Sequence, residues 1–232
     1  MKKILLLCFG FVIMGNGKGL LAQNTKTITL HFAPSFNSTP LTLGQDYHIG
    51  SEKNPITFTG FKCYVSHFEF FKERQLVYLE PTEAYLLDYS DLPSLTRKIV
   101  LPSTLEFDEI KFYFGIDDKT NDKGISGGDL DPTKGMYWTW QTGYINMKLE
   151  GNCKSTPLAD HAFQFHLGGF IAPFSSFQTI TLKTPYKSDC TVAIELNALI
   201  TKINLAETHS IMSPGEQAVV LSQYAATMFH LL

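Results

Sequence analysis

The sequence predicts a mainly β fold, an antiparallel, Greek-key-like β-sandwich closed by a C-terminal amphipathic helix. Three observations carry that expectation. Short apolar/polar alternations recur along the chain, and clusters of Gly, Pro, Asn and Asp separate them. Aromatic residues make up 13% of the 232 residues, mostly Phe and Tyr, which suit pleated, half-buried surfaces. No strand–helix–strand rhythm and no internal repeat is present, which disfavours a parallel α/β sheet.

The strands follow in order. Residues Ile28–Phe32 alternate. Residues Phe58–Phe71 form a longer aromatic run holding Cys63, Val65 and Phe70. Residues Glu83–Tyr89 are short and apolar. Residues Glu109–Ile116 read EIKFYFGI and put Ile110, Phe112, Phe114 and Ile116 on one face. Residues Tyr144–Leu149 place Ile145, Met147 and Leu149 together, and Phe163–Leu167 do the same with Phe163, Phe165 and Leu167. Residues Gln178–Leu182 and Thr191–Leu196 complete the set. The C-terminal stretch changes period. Ser213 caps, Pro214 stands at the first helical position and Glu216 lies three residues after the cap. Val219, Val220, Tyr224, Met228 and Phe229 then recur at helical spacing, giving a helix over Pro214–His230. A shorter helical turn is expected over Leu196–Lys202.

The N-terminus has the pattern of an export signal. Lys2 and Lys3 precede an apolar run, Ile4–Met14, and Ala22 offers a small residue for cleavage. The expected organisation is a signal peptide over residues 1–22 and one β-rich domain over residues 27–232. No later segment is long and apolar enough to cross a membrane. The expected location is therefore periplasmic or secreted. The formal charge of −3 comes without a basic block, so nucleic acid is not an expected partner. Export permits disulfides, and Cys153 and Cys190 lie in polar, turn-like surroundings, so they are the expected pair. Cys63, in an aromatic strand, reads as a buried thiol.

Enzymatic signatures are missing. There is no GxSxG elbow, no HExxH and no phosphate loop, and no carboxylate pair stands out as a glycosidase acid and base. The chain reads as a binding protein rather than an enzyme. The acidic stretch DDKTNDKGISGGDLD, Asp117–Asp131, offers oxygen ligands for calcium. It matches an EF-hand at Asp118, Asp122 and Asp129, but Gly124 falls one position late. A solvated loop with Asx turns fits better, and calcium is disfavoured.

Two features suggest a functional surface. Both tryptophans occur in MYWTWQTGY, Met136–Tyr144, two residues apart. On a strand Trp138 and Trp140 share a face, opposite in parity to Ile145, Met147 and Leu149, unless a bulge switches faces. Such an aromatic pair off the main core suits a sugar- or ligand-binding platform, or the flank of a metal or redox site. Among seven histidines, His166 in HAFQFHLGG points away from the Phe163/Phe165 face. His31, His67 and His209 are further imidazole donors, while His48 and His230 look peripheral.

LDPTKGMYWTWQTGYINMKLEG, Leu130–Gly151, followed by FHLGG, Phe165–Gly169, resembles the MbnP family of exported bacterial copper-binding proteins. FKCYVSHFEF, Phe61–Phe70, is similar to that family's earlier aromatic strand, and FYFGID, Phe112–Asp117, to its central strand. The resemblance implies a β-rich domain that binds copper and a partner related to dihaem cytochrome c peroxidases. That partner oxidises a tryptophan to kynurenine in characterised members, and copper binding depends on the change. Carried onto this chain, the oxidised residue is Trp138 or Trp140, and His166 is the histidine beside it. His31, His67 and His209 stand as further ligand candidates by chemistry alone. Two alternatives remain open: a carbohydrate- or ligand-binding sandwich using Trp138 and Trp140, and a structural module with a calcium loop.

Overall fold

The computed structural model describes residues 24–50, 54–140 and 143–232. The expected signal peptide, residues 1–22, lies outside them. Every strand read from the alternation has a counterpart. In chain order the strands are β1 (Thr25–Phe36), β2 (Thr39–Pro40), β3 (Asp46–His48), β4 (Pro55–Lys72), β5 (Gln75–Leu79), β6 (Ala84–Asp88), β7 (Thr96–Pro102) and β8 (Glu109–Phe114). Helix α1 (Asp118–Asp122) follows, then β9 (Tyr137–Trp138), β10 (Gly143–Cys153), β11 (Ala162–Gly168), β12 (Gln178–Lys183) and β13 (Asp189–Glu195). Helix α2 (Asn197–Ile200), β14 (Ser210–Ile211), α3 (Glu216–Ala226) and β15 (Phe229–Leu231) complete the chain.

These strands form a sandwich of two sheets. The smaller runs β15-β13-β1-β2, with β7 on β1; the larger runs β12-β8-β4-β10-β11-β14, with β3, β5 and β6 also on β4 and β9 on β10. Most pairs are antiparallel. The exceptions are β1 with β13 and β11 with β14, so each sheet is mixed. In β1, Ile28, Leu30, Phe32 and Phe36 are buried while Thr29, His31 and Ser35 are partly exposed, the burial pattern that one-sided packing produces. The main core fills the space between the sheets. Phe112 lies near its centre, in edge contact with Phe32 and Phe229 and stacked 5.1 Å from Phe68.

Strand β4 is the spine of the larger sheet. Its first half pairs with β10 and its second half with β8. Strict alternation would place Phe58 and Phe61 on opposite faces, as it would Val65 and Phe68, yet all four are buried in the main core. Two register shifts account for this. One omits Thr59, and the other lies between Ser66 and Glu69, where His67 takes φ 50°. A third shift, in β10 between Ile145 and Met147, corrects the expected face. Met147 and Leu149 enter the main core, whereas Ile145 joins a second cluster outside it.

The C-terminal helix is shorter than its pattern. It covers Glu216–Ala226, Gly215 is its cap residue, and no side chain caps it, so the Ser213 capping box does not form. Phe229 belongs instead to β15, which pairs with β13 and covers the core. Met228 and Phe229 suit a helix period, but an open edge of β13 claims this stretch for the sheet. The short turn expected over Leu196–Lys202 is α2. The expected Cys153–Cys190 bond is also corrected. Both thiols are free and buried, one ending β10 in the larger sheet and the other opening β13 in the smaller. Cys63 is the buried thiol its strand suggested, and burial pushes its pKa far up.

Phe112→Ala removes a ring that touches both sheets. It is expected to cost about 3–5 kcal/mol of unfolding free energy in a urea titration, with far-UV circular dichroism retained in the folded baseline.

Candidate functional site

One end of the larger sheet gathers the segments that hold the tryptophans. The stretch after β8 (Gly115–Asp117), the β9–β10 hairpin and the turn after β11 (Gly168–Ser176) meet there. Buried amides join them. Asn146, the residue at the register shift in β10, is fully buried. Its Oδ1 accepts from Ile116 N at 2.9 Å and its Nδ2 donates to Ser176 Oγ at 2.9 Å. Ser176 Oγ then donates to Gly169 O at 3.2 Å. Asn121, in α1, accepts from Tyr144 N at 2.9 Å and donates to Ile116 O and Asp117 O. Gly115 must be glycine: it sits at φ 104°, and a Cβ there would lie 2.5 Å from Asn146 Cγ.

Trp138 rests inside this frame. It is 6% exposed and belongs to the second cluster with Tyr64, Leu86, Ile116, Leu130, Met136, Tyr144 and Ile145. Its ring covers Gly168, where a Cβ would come within 2.7 Å of Cζ3, so glycine permits the close approach. Trp140 is 64% exposed. The two rings are 5.8 Å apart and tilted by 49°, with Trp140 in the turn between β9 and β10. The shared face expected from parity therefore gives way to a layered pair, one indole buried and one presented. A flat two-indole sugar platform is not formed. Beside Trp138 opens a mostly apolar cleft of about 260 Å³ walled by Phe170, Phe174, Pro173 and Pro214.

The histidines do not converge. His166 is 6% exposed and lies on β11 opposite Lys148, two residues from the glycine under Trp138. Its Nε2 is 2.6 Å from Glu150 Oε1. Burial pulls its pKa below the usual histidine value, Glu150 opposes that and Lys148 adds to it; the net direction is down. The neutral ring thus donates Nε2–H to Glu150 Oε1. His31, on β1 in the other sheet, has Nε2 2.6 Å from Asp189 Oδ1 and Nδ1 3.2 Å from Thr96 Oγ1. His67 Nε2 stands 3.3 Å from Asp117 Oδ2, at ion-pair distance without an aligned hydrogen bond, and its ring lies beside Tyr113. His209, before β14, keeps a buried Nδ1 without a partner, while its carbonyl accepts from Gln164 N.

Among the described residues no three His, Cys, Asp or Glu side chains come together in a metal-holding group. His31, His67, His166 and His209 belong to four separate places, and the first three each face a carboxylate. As they stand, these residues with Trp138 and Trp140 do not fit one copper donor set.

The acidic stretch is likewise engaged internally. Asp117 caps α1 by accepting from Thr120 N. Burial pushes its pKa up, but the Thr120 hydrogen bonds and His67 outweigh that, and it titrates below the usual carboxylate value. Asp129 turns towards the sheet, where it meets Leu86 N, Arg97 and Lys134. Asp131 accepts from Thr133. A calcium ring through Asp118, Asp122 and Asp129 is not assembled.

The MbnP family model matches residues 25–213. The chain belongs to the MbnP family. Among solved structures it is similar to MbnP from Methylosinus trichosporium, at 14% identity and a TM-score of 0.58, over 77% of this chain and 78% of that one. At that identity the likeness concerns the fold alone. No curated protein matches. The motifs that carry the resemblance now have places. Trp138 ends β9, Trp140 lies in the turn after it and Tyr144 lies on β10; FGID is the stretch under Asn146, and HLGG the floor beneath Trp138. Asn146, Asn121 and Ser176 were not among the residues singled out from the sequence. Asn146 was hidden because strict alternation gives it the opposite face to Ile145 and Met147, and only the register shift explains its burial.

His166 ties stability to pH. Its folded pKa is lowered, so the unfolded chain binds a proton more readily. The stability it contributes is present above the ordinary histidine pKa and is lost as pH falls through the lowered value. Thermal melts between pH 7.5 and 5 are expected to show a falling midpoint, with a shallower decline in His166→Gln.

Proposed function

We propose that this chain is an exported copper-binding protein of the MbnP type, without catalytic activity of its own, whose working end is the Trp138–Trp140 hairpin. Family membership supports copper as cargo. The N-terminal Lys-Lys-apolar-Ala pattern supports export and cleavage near Ala22. No helix among the described residues is long and apolar enough to cross a membrane.

The observation that carries the reading is the unequal exposure of the two indoles, 6% for Trp138 and 64% for Trp140. A dihaem partner of the cytochrome c peroxidase type meets the surface first at Trp140. Its indole is the one we assign to oxidation to kynurenine, with Trp138 as its buried neighbour. Opening an indole uncovers an arylamine and a carbonyl, polar donors that tryptophan lacks. The histidines named above stand apart in the unmodified chain, so no ligand set is assigned to them.

Peptide mass spectrometry of protein from its native host, with metal analysis of the intact protein, tests this. The expected result is a kynurenine-type mass change on the peptide at Trp140 together with bound copper. An unmodified Trp140 in copper-loaded protein contradicts the assignment, and modification at Trp138 alone moves the site to the buried ring.

A further inference from the structure

The apolar cleft beside Trp138 is a built feature. Phe170 leans over Gly143 at the start of β10, and Pro214, just before α3, packs on Gly169. The wall between them is a closed turn, in which Phe174 N donates to Ile171 O at 2.9 Å and Ser176 N donates to Gly169 O at 2.9 Å. Ser176 is also the residue that Asn146 holds. The cleft of about 260 Å³ is therefore fixed by the same buried amide that frames Trp138. Its size suits one aromatic or branched apolar side chain.

Its surroundings are apolar and uncharged. Residues 136–147, 167–182 and 210–215, which supply the walls, hold no Asp, Glu, Lys, Arg or His. Ile171 is 69% exposed and Phe174 43%; Met212, two residues before Pro214, is 40% exposed. Exposed apolar side chains around a preformed cleft mark an interaction surface.

What covers this surface follows from where it lies. Trp138 is one of its walls, and its ring is 5.8 Å from that of Trp140. A protein contact of ordinary size covers about 800 Å² on each side, a disc of about 16 Å radius. A partner that approaches Trp140 closely enough to oxidise it therefore also lies over the cleft. The uncharged walls say how it binds. They offer no side chain to pair with a charge, whereas an apolar anchor finds a pocket already shaped.

We propose that the cleft is the docking pocket of the dihaem partner, and that one aromatic or branched apolar side chain of that partner seats against Ile171 and Phe174. Recognition is then apolar, not charge-steered. This inference rests on the oxidation of Trp140 proposed above, and adds to it the surface and the chemistry that position the oxidant.

The test is the kynurenine fraction at Trp140, read by peptide mass spectrometry on the parent chain and its variants recovered from the native host. That fraction is expected to fall about tenfold in Ile171→Asp and in Ile171→Lys alike, the loss of one anchoring contact. It is expected to stay at the parent level in Ile171→Leu. It is also expected to stay there in Leu158→Asp, which charges a residue 42% exposed in the turn at the far end of β10 and β11. Ile171 is too exposed for these changes to threaten the fold, and far-UV circular dichroism checks that. Parent-level modification in both charged variants overturns the docking pocket and leaves the oxidation of Trp140 standing. A loss in Ile171→Asp but not in Ile171→Lys also overturns it, because the contact is then steered by charge. An unmodified parent chain removes the oxidation itself and this inference with it. A purified parent chain that sediments as a dimer, with Ile171→Asp a monomer, assigns the cleft to a second copy instead and overturns the proposal.

Discussion

The buried amide of Asn146 is the constraint on which the tryptophan end depends. A side-chain amide fully removed from water must find partners, or it costs about 1–3 kcal/mol per group left unmade. Here the partners belong to two loops that are distant in sequence: Ile116 N, after β8, and Ser176 Oγ, after β11. The register shift in β10 is what turns Asn146 towards them. Gly115 lets the backbone come close enough, and Ser176 passes the connection on to Gly169. One residue thus sets the relative positions of three segments. Trp138 fills the space they enclose and Trp140 is left outside it.

This ordering explains why the family motifs sit where they do. FGID, the residues Trp138 and Tyr144, and HLGG are far apart in the chain but form one packed unit, in which Gly168 supplies the floor for an indole and Tyr144 a wall. His166 contributes from beneath by joining β11 to Glu150 on β10. Much of the motif is scaffold. The reactive element that it supports is the layered indole pair, whose two members have the same chemistry and very different access to solvent.

The sandwich was legible because its core strands follow period 2: β1 and β8 each bury alternate residues as read, and β11 does so as far as Phe165. Strands β5 and β7 were missed for opposite reasons. The first exposes nearly all of its side chains, and the second opens on Thr-Arg-Lys before its apolar part. Strand β15 was absorbed into a helix because Met228 and Phe229 suit both periods and only the edge of β13 decides. The bulges at Thr59, His67 and Asn146 were invisible to strict alternation, and each moved a residue to the other face. The tryptophan pair was found from its sequence, but parity alone gave it one shared face; the short β9 and the turn after it separate the rings. The placement of the histidines was not legible for a different reason. Alternation says which way a side chain points on its strand, not which strand lies across from it, and His31, His67, His166 and His209 each meet different neighbours. The Cys153–Cys190 pairing failed likewise, since turn-like surroundings say nothing about which sheet a cysteine joins.

The central claim is that Asn146 holds Trp138 out of solvent. Acrylamide quenching of Trp138 fluorescence in Trp140→Phe, with and without Asn146→Ala, tests it most directly. The account predicts a protected, blue-shifted emission in Trp140→Phe that becomes readily quenched and red-shifted when Asn146 is lost, while far-UV circular dichroism stays that of a folded sandwich. Equal protection of Trp138 in both proteins would contradict it.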